Sequence, residues 1–102
     1  MKLFVDDTRD FPPGTNAVRD YDSAISMLKL NDIFKFDFVS LDYTLGGGYT
    51  GLDILKFMHQ NKIYPHRINI HSNNVEGRRE MISYVHENFP NSVILTANML
   101  DK

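Results

Sequence analysis

Cysteine and tryptophan are absent from this 102-residue chain. The first absence excludes a disulfide framework and any thiolate metal site. No stretch approaches the roughly 20 consecutive apolar residues that a membrane-spanning helix requires. Charge of one sign is scarce too: 11 Lys and Arg stand against 13 Asp and Glu, a net charge of −2. So weak a balance does not imply nucleic-acid binding by bulk electrostatics. The opening MKLFVDD turns acidic at Asp6, unlike a secretory leader. A cytoplasmic protein with no membrane association is the expectation. Proline is also sparse, and two of the four prolines fall in one cluster, FPPGTN at residues 11–16.

What is present suits a globular fold. Hydrophobic residues make up 42% of the chain, with seven Phe and five Tyr, enough for a sizeable core. The length suits one compact domain over residues 1–102. KLFV, ending at Asp6 and Asp7, reads as a first strand, and AVRDY at residues 17–21 as a weak second one. DSAISMLKL places Ala24, Ile25 and Leu28 at helical spacing, with Asp22 or Ser23 as N-cap. FDFVSL at residues 36–41 has few polar breaks, as in a strand of a sheet covered on both faces. Thr50 and Asp53 form a loose capping box before a helix whose apolar face is Leu52, Leu55, Phe57 and Met58. INI at residues 68–70 is a fourth strand. Asn74 caps a helix with Met81, Ile82, Val85 and Phe89 inward, and SVILTA at residues 92–97 is the last strand.

Alternating strands and helices predict an α/β domain with a mainly parallel sheet. The connection over residues 8–16 is shorter than the dozen or so residues a parallel crossover usually takes. Its prolines and glycine leave no room for a helix. Either the second strand hairpins back, or an extended loop carries the chain along the sheet, and the second is preferred.

Ligands of open parallel sheets bind beyond the carboxyl ends of the strands. Here the first strand ends in Asp6 and Asp7, the third in Asp42, the fourth in His71 and Ser72. A parallel sheet gathers all five on one edge. Three adjacent carboxylates repel, so one takes up a proton or a cation binds between them. Oxygen donors of this kind suit Mg²⁺. Arg9 could grip a phosphate bidentately, and the helix opening near Asn74 would aim backbone N–H groups at the same place. Taken singly, each feature has a plain structural reading: a turn pair, an acidic strand end, a sheet-end histidine. Gly46, Gly47 and Gly48 read as a flexible loop, because no Lys-Ser or Lys-Thr follows to make a phosphate loop.

The pattern resembles the receiver domain of two-component response regulators, in which an acid pair ends the first strand, a phosphoacceptor Asp the third, and a Ser or Thr the fourth. FVDD, VSLDYTLGGGYTGLDIL and INIHS stand in those places. The chain departs from ordinary receivers in three ways. The fifth strand, SVILTANML, carries no Lys, and only Lys102 lies near; a Pro-rich loop replaces the first helix; and His71 precedes Ser72. LFVDDTRDFPPG, SLDYTLGGGYTG and IHSNNVEGRREM are more narrowly similar to the cyclic-phosphate-processing receiver domains, at Arg9, Pro12, Pro13, Asp42, Leu45, Gly46, Gly51, His71, Ser72, Asn74, Gly77 and Met81.

The resemblance implies a three-layer, flavodoxin-like receiver fold: a five-stranded, mainly parallel sheet with helices on both faces. It also implies Mg²⁺ held by Asp6, Asp7 and Asp42, with the Thr44 carbonyl a candidate further ligand. On this reading Asp42 and His71 would be catalytic, His71 as general acid or base. Arg9, Ser72 and Asn74 would bind phosphate. The partner would be a phosphate-containing small molecule, sensed or processed as a cyclic ester. The alternative is a signalling receiver phosphorylated on Asp42 by a phosphodonor kinase, and the third reading is a non-catalytic interaction module on an inherited fold.

Overall fold

The computed structural model describes residues 1–8, 10–11, 13–14 and 16–98. Arg9, Pro12 and Lys102, named above, lie outside the described residues. The elements run β1 (Lys2–Val5), β2 (Ala17–Val18), α1 (Tyr21–Leu28), a 3-10 turn (Lys29–Asp32), β3 (Phe38–Leu41), α2 (Gly51–Gln60), β4 (Arg67–His71), α3 (Val75–Asn88) and β5 (Ile94–Asn98). No helix among the described residues is long and apolar enough to cross a membrane.

The five strands form one sheet in the order β2-β1-β3-β4-β5, and every neighbouring pair is parallel. This is the receiver arrangement expected from the sequence. β2 is parallel to β1, as the preferred alternative expects, and no helix lies between them among the described residues. The second strand is shorter than expected, because Asp20 ends it. Asp20 accepts from the Ser23 N–H at 2.7 Å, which makes Asp20 the N-cap of α1 instead of Asp22 or Ser23. The Asn74 cap stands as expected: its Oδ1 accepts from the Gly77 N–H at 2.7 Å. Asp53 reaches back to the Thr50 N–H at 2.8 Å and starts α2.

The layering differs from the expected helices on both faces. From β2 to β3, β3 to β4 and β4 to β5, the chain steps in one direction across the sheet. Parallel crossovers are right-handed, so all three helices fall on the same side. α2 accordingly packs against both α1 and α3. Leu3, Val39 and Ile68 share one row, and Val5, Leu41 and Ile70 another, all fully buried against these helices with Leu28, Ile54, Leu55, Met58 and Met81. The other face lacks a helix among the described residues and is only partly covered. Phe4 lies between Phe11 (ring centroids 4.9 Å) and Phe38 (5.5 Å), and Ile94 stays 41% exposed. The first helix of the receivers named above, a right-handed crossover from β1 back to β2, would lie on that face. Here a loop carrying Phe11 replaces it.

The loop from β3 into α2, at the carboxyl edge, is shaped by its glycines. Gly46, Gly47 and Gly48 all adopt positive φ and turn the chain so that Thr44 bridges Thr50 antiparallel. The expected flexible loop is thus a defined turn. Gly51 donates its N–H to the Tyr43 carbonyl at 2.9 Å, and a Cβ there would drive into the Asp42 carbonyl oxygen and the Met81 side chain. Gly51→Ala is therefore expected to cost about 1–3 kcal/mol of stability. The loss should appear as a lower urea midpoint at unchanged slope. An unchanged midpoint would show that the Asp42–Gly51 approach carries no constraint.

Candidate functional site

The sheet register assembles the site. Val5 pairs with Leu41 and Leu41 with Ile70, so the next residues along, Asp6, Asp42 and His71, share one layer at the carboxyl edge. Two backbone hydrogen bonds extend the ladder into that layer, Asp6 N–H to the Val18 carbonyl at 3.1 Å and Asp42 N–H to the Val5 carbonyl at 3.0 Å. Carboxylate oxygens of Asp6, Asp7 and Asp42 lie within 4.8 Å of one another. Asp6 is fully buried, as nearly is Asp42, and His71 and Ser72 are buried beside them.

Burial is the main reason that the Asp42 carboxyl is pushed above its ordinary value, and the negative charge of Asp6 adds to it. The Ser72 hydroxyl, His71 and the Tyr43 N–H oppose the shift without cancelling it. A partly buried group of hard oxygen donors with mutually repelling charge fits a hard divalent cation such as Mg²⁺. The three carboxylates approach closely enough that they could hold one metal ion together.

Asp6 is held at both oxygens. Oδ1 accepts from the Thr8 N–H at 2.9 Å, and Oδ2 meets His71 Nε2 at 3.0 Å. The other ring nitrogen of His71, Nδ1, meets Ser40 Oγ at 2.6 Å. Direct proton transfer to a ligand would require a ring nitrogen to leave its partner. Ser72 Oγ accepts from the Asn74 N–H at 3.1 Å, and Asn74 spends its oxygen on the α3 cap. Ser72 thus sits beside Asp42, and Asn74 caps the positive end of the α3 dipole.

Among the described residues, Arg78 and Arg19 bring cations to this edge. Arg78, in the first turn of α3, donates from Nη1 to the Ser72 carbonyl at 3.0 Å. Arg19 donates from Nη1 to the Asp6 carbonyl at 3.1 Å. Arg78 falls in the first turn of the helix that Asn74 opens, whereas nothing in AVRDY marked Arg19. Ser40 was equally silent, since it reads as one polar residue in an apolar strand. His59 is half-buried, with Nδ1 on the Tyr64 hydroxyl at 3.0 Å.

The raised carboxyl of Asp42 fixes the sign of a pH effect. Protonation is favoured more in the folded than in the unfolded chain, so stability is lost as pH rises through the folded-state value. Asp42→Asn is expected to raise the Tm of the metal-free protein near neutral pH. The gain should shrink on acidification and vanish below the ordinary carboxyl value of 3.8. Thermal unfolding against pH checks it; a neutral-pH Tm that falls on substitution would mean that Asp42 is better solvated than the geometry requires.

Residues 1–87, from β1 through nearly all of α3, match the family described as the cyclic-phosphate processing receiver domain. No curated protein and no solved structure matches the chain significantly. The matching span contains every acid of the cluster, His71, Ser72 and the Asn74 cap, and it covers well over half of the sequence. The chain belongs to the cyclic-phosphate processing receiver domain family.

Proposed function

We propose that the carboxyl edge of the sheet is a Mg²⁺-dependent phosphate site that senses or processes a phosphate ester, with a cyclic ester as the ligand class. The observation that carries this reading is the mutual approach of the Asp6, Asp7 and Asp42 carboxylates, two of them buried. Mg²⁺ held there would neutralise the acids and polarise phosphoryl oxygens. Asp6 is pre-set for the ion by Thr8 and His71, and Asp42 gains from losing its like-charge conflict. Ser72 can donate its hydroxyl proton to a phosphate oxygen. Asn74 can offer its amide N–H groups, and Arg9 its guanidinium. Arg19 and Arg78, which donate to the Asp6 and Ser72 carbonyls, bring positive charge to the same rim. His71 serves this chemistry through the oxygen of Asp6 that it holds.

A second reading is favoured by Ser72, which lies close enough to Asp42 to lower its carboxyl. In it Asp42 accepts a phosphoryl group from a partner kinase and Ser72 responds. The fifth strand lacks the Lys that receivers use beside an aspartyl phosphate.

The readings separate experimentally. Mg²⁺ at a hundredfold excess over its Kd should add about 2.7 kcal/mol of stability, a Tm rise on the order of 10 °C. Asp42→Ala should abolish that rise. A panel of cyclic nucleotides with Mg²⁺ should then give ring-opened product or a further Tm rise. No metal response and no ligand response would overturn the phosphate-site reading. A stable adduct at Asp42 after acetyl phosphate or beryllofluoride, seen by mass spectrometry or NMR, would put the phosphoacceptor first.

A further inference from the structure

The open face of the sheet carries a row of polar side chains that continues into the acid cluster. Ser40, Asn69 and Thr96 are register partners on β3, β4 and β5. Thr96 Oγ1 donates to Asn69 Oδ1 at 2.7 Å, and Asn69 Nδ2 donates to Ser40 Oγ at 3.1 Å. Ser40 Oγ meets His71 Nδ1 at 2.6 Å, and His71 Nε2 meets Asp6 Oδ2 at 3.0 Å. These are four hydrogen bonds in series, crossing the sheet from β5 to β1.

Their direction can be argued. An ionised Asp6 can only accept, so Nε2 of His71 carries a proton. Ser40 Oγ receives the Asn69 N–H, and the group left to take the Ser40 proton is Nδ1. Every donor then points toward Asp6. Aligned in this way, the bonds polarise one another and favour negative charge at the far end. The reverse alignment needs Asn69 turned end for end and a proton on Asp6, which would weaken Asp6 as a cation ligand.

We propose that Ser40, Asn69 and Thr96 hold the His71 ring with its Nε2–H toward Asp6, and that Ser40 and His71 are positioning residues that keep Asp6 aimed at the metal position. This rests on the phosphate-site reading for its purpose, but not for its geometry. Partners behind a ligand commonly change metal affinity by about 10–100-fold when removed. A purely structural role for the row has a weaker rationale. Thr96 and Asn69 are half-exposed, and apolar residues would serve a strand there at least as well.

NMR of the His71 ring nitrogens in the metal-free protein near neutral pH reads the tautomer directly. A bare Nδ1 beside a protonated Nε2 is expected. A bare Nε2 overturns the proposal, since the ring then has no proton to donate to Asp6. Ser40→Ala is expected to mix the tautomers and to weaken Mn²⁺ binding about tenfold, measured by calorimetry. Ser40→Thr, which keeps the hydroxyl, should restore both. Ring signals and affinity that ignore Ser40→Ala also overturn it. Because the ring is read without metal, a wild type that takes up no Mn²⁺ would instead overturn the metal reading, and with it the ligand-holding role.

Discussion

The site depends on a single alignment: Val5, Leu41 and Ile70 abreast in the sheet. Each of these side chains is fully buried on the helical face. Sliding β1 or β3 by one residue would turn its apolar set outward, so core burial fixes the register. The residue after each then has no choice of position. Asp6, Asp42 and His71 are brought together by hydrophobic packing one layer below them. No attraction among the acids does it, and their mutual repulsion opposes it.

The one-sided arrangement of helices gives the molecule two unlike sheet faces. The covered face is apolar and spends its burial on stability, at about 1.5–3 kcal/mol for each large aliphatic side chain. The open face has no such demand among the described residues. It can hold Ser40, Asn69 and Thr96 in one row, which would be costly in a fully buried layer unless every group were paired. In this sheet they are paired, to one another and to His71. A His at the end of β4 would have little to lean on in a sheet covered by packed helices on both sides. The missing helix and the added His are thus two departures from ordinary receivers that fit one physical picture.

Much of this was legible in the chain because the signals are local. Strand ends carry their acids in consecutive letters, and Asn74 and Thr50 announce helix starts through capping chemistry. The parallel sheet followed from alternation of elements. What was not legible is what depends on order across the sheet. The single helical face comes from three crossovers stepping the same way, and the sequence does not print strand order. Arg19 reaches Asp6 only because β2 returns parallel to β1. Ser40 matters through Asn69, 29 positions later. Asp20 displaced Asp22 as the cap because three acidic or hydroxyl residues compete there and geometry decides among them.

The cost carried by Asp42 bears on function by itself. A chain selected only for stability would place an amide or an apolar residue at a nearly buried strand end beside a fully buried acid. Burial and the charge of Asp6 both disfavour the ionised form, while the surrounding donors from Ser72 and Tyr43 only soften the conflict. Local rules are most often broken where a site has work to do. The three acids break one such rule together. The remedy that satisfies all three at once, without protonating any, is a cation among them. Held by a register that the core enforces, and with Asp6 gripped at both oxygens, the cluster is organised before any ligand arrives. Such preorganisation lowers the cost of binding that a flexible set of acids would have to meet.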